Sequence, residues 1–171
     1  MAATDEPVSG KYACAIVRDI TYDAQGEETA SVAVPIGGDE ILSWQYNHNV
    51  EDRTYASCRT TGKRVRVEGA EDLTGSIVVA RRVDSPFRTQ LEVGRSLTLW
   101  LFHRKPMVGV TGLYDQIPAK ILSIEGGASI DEGGEQRYTV NFGLNEGWDG
   151  TATHGGTELK FDQEAAALPA P

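Results

Sequence analysis

The sequence predicts an all-β domain with at most one short helix, and three observations lead to this fold class. Apolar and polar side chains alternate with a period of two along most of the chain, which is the repeat of a strand with one buried face. Nineteen glycines and seven prolines provide many turns. Strand-like segments recur about every 10–15 residues, a spacing typical of a β-sandwich or barrel.

The first third of the chain supplies three predicted strands. Residues 12–18 and 31–34 lie on either side of a polar turn at 23–28. Residues 41–48 follow, with Leu, Trp, Tyr and His alternating with polar side chains.

The one predicted helix covers residues 49–58. Asn49 or Asp52 offers an N-cap for it, although the apolar stripe that such a helix would bury is thin.

The sequence pattern in the middle of the chain predicts several strands, one of which is buried on both faces. Residues 63–68 alternate basic and apolar side chains and stop at Gly69, and residues 75–80 form a β-branched run. The strand at 96–102 places leucine on one face and Thr, Trp and Phe on the other. Two faces of this kind are typical of the middle of a sandwich or barrel.

The last two predicted strands, 119–124 and 137–142, form a hairpin. Residues 125–134 between them are polar and glycine-rich, as expected of a hairpin tip. The domain division that follows is a flexible N-terminus at 1–9, a single β domain at 10–145 and a Gly/Thr/Ala-rich C-terminal extension at 146–171, with a loose tail from 162.

The net charge of −9 hides three blocks of alternating sign. Residues 1–56 carry three basic and ten acidic side chains, residues 57–110 carry ten and five, and residues 111–171 carry three and ten. An acidic chain argues against a dedicated nucleic-acid binder, which needs a basic face. Folding either mixes these blocks on one surface or leaves faces of opposite sign that attract other copies.

No catalytic motif is present, so the sequence predicts a protein that is not an enzyme. There is no nucleophile elbow, P-loop, dinucleotide fingerprint or zinc-protease motif. His48, His103 and His154 lie on separate segments without ligand spacing, so we expect neither a metal nor a cofactor.

The two cysteines, Cys14 and Cys58, are too few for a disulfide scaffold. No basic start or apolar stretch opens the chain, so we expect folding in the cytosol of the host cell, where thiols stay reduced. A disulfide formed later, outside the cell, is the alternative. No apolar run suggests a membrane partner.

The order of the segments resembles that of bacteriophage tail tube proteins over roughly residues 12–143. A G-x-x-D-x-x-G-S turn spans 69–76, an L-x-x-G motif at 91–94 enters the long strand, and a closing pair of strands surrounds a glycine-rich tip. The resemblance implies a tail-tube-like β-sandwich or barrel with one flanking helix. Six copies would form a ring, and rings would stack into a hollow tube.

The resemblance also implies partners and a location. The expected partners are other copies of the chain, a tape-measure protein, tail terminator and baseplate proteins, and a sheath if the tail contracts. DNA would be in transit only, and the chain would reside in the virion tail. Cys14 and Cys58 would then be candidates for a disulfide between subunits.

Two alternatives remain from the sequence. One is another virion structural protein, such as a head decoration or tail-completion protein. The other is a β-sandwich that binds a ligand or carbohydrate on a platform formed by Trp44, Trp100 and Trp148.

Overall fold

The computed structural model describes residues 13–22, 28–33, 41–55, 65–81, 91–127, 136–145, 154–155 and 158–168. Within these residues the chain forms nine β-strands and no helix. The strands are β1 (Cys14–Tyr22), β2 (Glu28–Ala33), β3 (Ile41–Tyr55), β4 (Val65–Ala80), β5 (Ser96–Arg104), β6 (Gly112–Gly127), β7 (Arg137–Leu144), β8 (His154–Gly155) and β9 (Lys160–Ala165). The all-β prediction is confirmed.

The nine strands belong to one antiparallel sheet in the order β2-β1-β5-β6-β7-β4-β3. The short strand β8 also pairs with β1, and β9 pairs with β6 beyond the end of β7. The hairpin predicted between 119–124 and 137–142 is present as β6 and β7, which stay paired out to Gly127 and Arg137. Its tip at 128–135 lies outside the described residues.

Strand β5 is buried on both faces, as its sequence predicts. The three leucines of one face are fully buried, and so are Thr98 and Phe102 on the opposite face. The leucine face belongs to the main core, which β1, β4, β6 and β7 complete. The buried members of this core are Ala15, Val17, Leu73, Ile77, Val79, Leu91, Leu97, Leu99, Leu101, Ile117, Ala119, Ile121, Val140 and Phe142.

The sheet curls around this core as a half-barrel. Trp44 and Tyr46 of β3, the last strand of the sheet, pack against the core, and the Trp44 ring meets the edge of His103 on β5 at 5.1 Å. This contact joins two strands, β3 and β5, that are four positions apart in the sheet order. The curl therefore places β3 opposite β5 and β6.

The helix predicted at 49–58 is wrong. Residues 49–55 continue β3 and pair with β4 from Asn49 opposite Asp72 to Tyr55 opposite Val65. Residues 56–58 lie outside the described part of the chain. A helix here would have had too little apolar surface to bury, whereas the strand satisfies its backbone groups by pairing with β4.

Gly69 does not end a strand, which is the second correction. Residues 63–68 and 75–80 were expected as separate strands, but residues 65–80 form the single strand β4. A β-bulge at Val50 to Asp52 lies opposite Gly69, and a Cβ at Gly69 would stand 2.7 Å from the Glu51 carbonyl oxygen. The glycine permits this close approach while the pairing continues.

The C-terminal region is more ordered than expected. The loose tail predicted from 162 contains most of β9, whose Gly112–Ala165 and Tyr114–Gln163 pairs fix it along β6. Its alternating half-buried and exposed side chains give it one face toward the core. The division into domains at 1–9, 10–145 and 146–171 remains a prediction.

Candidate assembly surfaces

The β3–β4 pair forms a long two-stranded ribbon on one side of the molecule. Strand β7 pairs with β4 only from Thr74 to Ala80. Among the described residues, β4 from 65 to 73 is paired with β3 and with no other strand. Two-stranded ribbons are marginally stable in water unless a further strand or surface covers them. This ribbon is therefore a candidate surface for contact with another copy.

The ribbon exposes polar and acidic side chains. Asn47, Asn49 and Asp52 on β3 and Glu71 and Asp72 on β4 are exposed. The His48 ring of the ribbon lies 5.1 Å from the Phe161 ring on β9, so the ribbon contacts the rest of the domain at this residue. The His48 Nε2 atom also lies 2.5 Å from Glu71 Oε1 across the ribbon.

The outer edge of β3 is unpaired within the described residues, because β3 ends the strand order. It is 15 residues long, whereas β2 at the opposite end of the sheet has six. A long open edge invites pairing with another chain, and proteins that stay monomeric usually shorten or cover such edges.

An uncharged groove is lined by residues of β3, β4, β6 and β7. It has a volume of about 490 Å³, and no side chain that lines it is charged at neutral pH. The lining residues are Gln45, Tyr46, Asn47, Thr74, Gly75, Ser76, Leu122, Asn141 and Phe142. Amides and hydroxyls of this kind offer hydrogen bonds but no positive charge that would displace the counterions of phosphate groups.

A buried carboxylate joins three separate strands on the inner face. Asp115 on β6 is 2% exposed. Its Oδ2 accepts a 2.6 Å hydrogen bond from the Tyr46 hydroxyl and lies 2.6 Å from His103 Nε2. Its Oδ1 accepts a 2.9 Å bond from the backbone N–H of Asp162 on β9. The carboxylate therefore ties β3, β5 and β9 to β6, which is a structural role.

The environment of Tyr46 keeps its hydroxyl a donor. Burial raises the pKa of Tyr46 well above its usual value, and the hydrogen bond and negative charge of Asp115 raise it further. Asp162 adopts a left-handed backbone conformation, with φ of 51°, at the point where its N–H meets Asp115. Asparagine and aspartate tolerate this conformation better than most residues.

No sequence motif marks this cluster, because its members are far apart in the chain. Tyr46 and Asp115 are 69 residues apart, and Asp115 and Asp162 are 47 apart. The available signal was Asp115 itself, a charged residue between Tyr114 and Ile117 in an otherwise strand-like segment.

Of the two candidate cysteines, the structure describes Cys14, on β1. It is half-buried and lines a cleft of about 370 Å³ together with Ser43, Trp44 and His103. Burial raises the pKa of the Cys14 thiol, while the positive charge of Lys105 partly opposes this effect. A raised pKa favours the unreactive thiol. Cys58 lies outside the described residues, so the pairing of the two cysteines stays a prediction.

Two of the three tryptophans of the predicted sugar platform, Trp44 and Trp100, make packing contacts within the domain. Trp44 stacks on Tyr46 at 6.1 Å and contacts His103. The Trp100 ring contacts the Arg18 guanidinium, 4.9 Å from the ring centroid, and stacks on the Tyr114 ring at 4.6 Å. Trp148 is outside the described residues.

The described residues contain no cluster of three or more His, Cys, Asp or Glu side chains that would suit a metal ion. In that same part of the chain, no helix has the length and apolarity needed to cross a membrane. His154 pairs with Thr21 through the backbone of β8, whereas His48 lies on β3 and His103 on β5.

The curled sheet, with its open β3 edge and the β3–β4 ribbon, is a tail-tube-like β fold, and solved tail structures share this fold. A protein in the tail of an empty gene transfer agent particle, solved with C6 symmetry, aligns with 17% identity and a TM-score of 0.51 over 80% of this chain and 93% of its own. The SPP1 tail tube protein aligns with 12% identity and a TM-score of 0.52 over 91% and 81%.

The terminating cap of the anti-feeding prophage tube aligns with 12% identity and a TM-score of 0.56 over 85% of this chain and 91% of its own. At these identities the comparisons establish the fold. No protein-family model matches the chain, and no curated protein matches it in sequence.

Proposed function

We propose that this protein is a structural subunit of a phage-type tail tube. The observation that carries the proposal is the match of most of the chain to the SPP1 tail tube and to the gene transfer agent tail. The open edge of β3 and the ribbon beside it support it, because both gain pairing when copies associate side by side.

In this role six copies form a ring, and rings stack into a hollow tube. The C6 symmetry of the gene transfer agent tail is the precedent for the ring size. Side-by-side copies close a ring, whereas the head-to-tail contact between rings builds an open filament. The tube surrounds a tape-measure protein, ends at terminator and baseplate proteins, and resides in the virion.

DNA passes through such a tube without binding to it. The net charge of −9 per copy, repeated around a ring, removes the counterion-release drive that holds DNA on proteins. The tube is a passive conduit, and we assign no catalytic residue, cofactor or metal to it. The use of the Asp115 carboxylate for internal hydrogen bonds supports a structural rather than a catalytic role for that cluster.

Electron microscopy of the concentrated, purified full chain tests the proposal. The expected result is tubes of uniform diameter with six-fold rings in end views. Native mass spectrometry should show a hexamer among the smaller species. A chain that stays monomeric at high concentration in both measurements contradicts the proposal.

A tube cap is the second candidate, and the match to the anti-feeding prophage cap favours it. A cap ends a tube rather than extending it. It would therefore form discrete rings under conditions in which a tube subunit forms filaments. The same micrographs separate the two functions.

A further inference from the structure

The turn between β5 and β6 presents three apolar side chains to solvent. Residues 106–111, here called the apolar turn, contain Met107, Val108 and Val110. Val108 is as exposed as a residue in an extended peptide, at 104%, and the other two are more than one third exposed. Isolated exposed valines are ordinary, but three on one tight turn form a compact apolar knob.

The apolar turn is held in a fixed shape. Met107 and Val110 exchange two backbone hydrogen bonds of 3.0 Å. Gly109 has a φ of 75°, a backbone conformation that residues with a side chain rarely adopt. Arg104 Nε donates a 3.1 Å bond to the Thr111 carbonyl at the base of the turn. Little conformational entropy remains to be lost when such a knob binds.

A second exposed apolar residue lies at the other end of the same strand. Val93 is 60% exposed on the turn at 92–95, here called the Val93 turn. Gly94 of this turn has a φ of 89° and donates a 2.7 Å bond to the Ile121 carbonyl, and Arg95 donates one of 3.1 Å to the Glu92 carbonyl. The Val93 turn is thus fixed against β6.

The two turns are too far apart to meet within one copy. Strand β5 runs from Ser96, next to the Val93 turn, to Arg104, next to the apolar turn. At about 3.3 Å per residue, β5 alone separates them by about 26 Å. A second copy displaced along the strand direction brings one turn against the other.

The exposed charged residues beside the two turns have opposite signs, whereas their neighbours Arg95 and Arg104 are partly buried. Lys105 directly precedes the apolar turn, and Glu92 directly precedes Val93. Both residues are exposed. When the apolar turn of one copy meets the Val93 turn of the next, an ammonium and a carboxylate of opposite sign lie at the rim of an apolar contact.

We propose that the apolar turn of one copy docks on the Val93 turn of the next copy, as a head-to-tail contact along the β5 direction. The contact uses different surfaces on the two copies, so it repeats without closing and extends a filament. The inference rests on the proposed function, to which it adds the residues that join successive rings.

The experiment compares tube formation by the full chain and by Val108→Asp, with Val108→Leu as the matched control that keeps an apolar side chain at the same exposed position. Val108→Asp is expected to raise the concentration needed for tubes about tenfold or more, because it buries a carboxylate in an apolar contact. It should keep the wild-type Tm and the ability to form single rings. Val108→Leu should assemble as the wild type does.

Charge reversal gives the second measurement. Lys105→Glu and Glu92→Lys should each weaken tube formation at low ionic strength, and the double variant should restore it. Tubes of Val108→Asp at the wild-type concentration overturn the inference, as does a double variant no better than the single ones. Wild-type rings that never stack overturn the inference alone, whereas a wild-type chain that forms no rings overturns the proposed function as well.

Discussion

Gly75 is the residue whose replacement gives the sharpest test of the described packing. It lies on β4 between Tyr46 of β3 and Phe142 of β7. A Cβ added there would stand 2.4 Å from the Gln45 carbonyl oxygen and 2.5 Å from Cζ of Phe142. Carbon atoms in contact prefer separations of about 3.5–4.0 Å, so the overlap is about 1 Å on two sides.

Neither neighbour of Gly75 can move cheaply. The Gln45 carbonyl belongs to the β3 backbone beside β4, and the Phe142 ring is 1% exposed in the main core. Overpacking of a core costs about 1–3 kcal/mol, and the backbone clash places Gly75→Ala toward the upper end, about 3 kcal/mol. For a domain of this size, that corresponds to a fall in Tm of about 6–12 °C.

Gly127→Ala is the matched control. Gly127 is also a strand glycine, and an added Cβ there meets no atom within 4 Å. Alanine restricts the unfolded chain at such a site, so the expected change is between zero and a gain of about 1 kcal/mol. Thermal unfolding followed by circular dichroism, at concentrations that keep the protein unassembled, measures both variants. A Gly75→Ala protein that melts within 2 °C of Gly127→Ala would refute the described packing of β3, β4 and β7.

Four further predictions concern the cluster, the hairpin, the cysteines and DNA. Tyr46→Phe removes a hydrogen bond to a carboxylate and should lower the free energy of unfolding at pH 7 by about 1.5–3 kcal/mol in urea titrations. Folding raises the pKa of Tyr46, so the contribution of its hydroxyl to stability is complete below about pH 10 and falls at higher pH. The Tyr46→Phe variant should therefore lose less stability at alkaline pH than the wild type does. Amides 126–134 should exchange hydrogen faster in a free subunit than in a tube, and equal rates would exclude this hairpin from assembly. Non-reducing gels of purified particles should show a ladder that collapses with reductant if Cys14 or Cys58 cross-links neighbouring copies; a single monomer band with two titratable thiols removes the cross-link. Assembled tubes should not bind DNA at physiological salt, and micromolar affinity in a filter assay would point to a nucleic-acid role.

Most of the strands could be predicted from the sequence because period-two alternation is a local property. The segment at 96–102 shows this best, since its two apolar faces predicted burial on both sides and β5 has it. The alternation at 41–48 likewise identified the start of β3, and the error began where residues 49–55 became polar on both faces.

The errors arise where pairing partners decide the structure. The extension of β3 to Tyr55 and the continuity of β4 through Gly69 depend on each other, and a local pattern contains neither. Strand β9 is also determined by its pairing partner. Its charged residues Lys160, Asp162 and Glu164 are exposed, and they make the segment look like a polar tail although its other face is half-buried. The cluster around Asp115 needs the curl of the whole sheet, which no spacing in the sequence encodes.

Because β9 pairs with β6, part of β6 lacks a neighbouring strand until β9 has been synthesised. Every strand that β9 contacts is synthesised before it, so on the ribosome the stretch of β6 from Gly112 to Gln116 waits without its final neighbour. Domains begin to fold while they are still being translated, and unfilled strand edges are their hazard at that stage. The N–H of Asp162, a residue of β9, also reaches Asp115 only after β9 has emerged from the ribosome. The emergence of β9 is therefore the event that covers this stretch of β6 and completes the hydrogen bonds of Asp115.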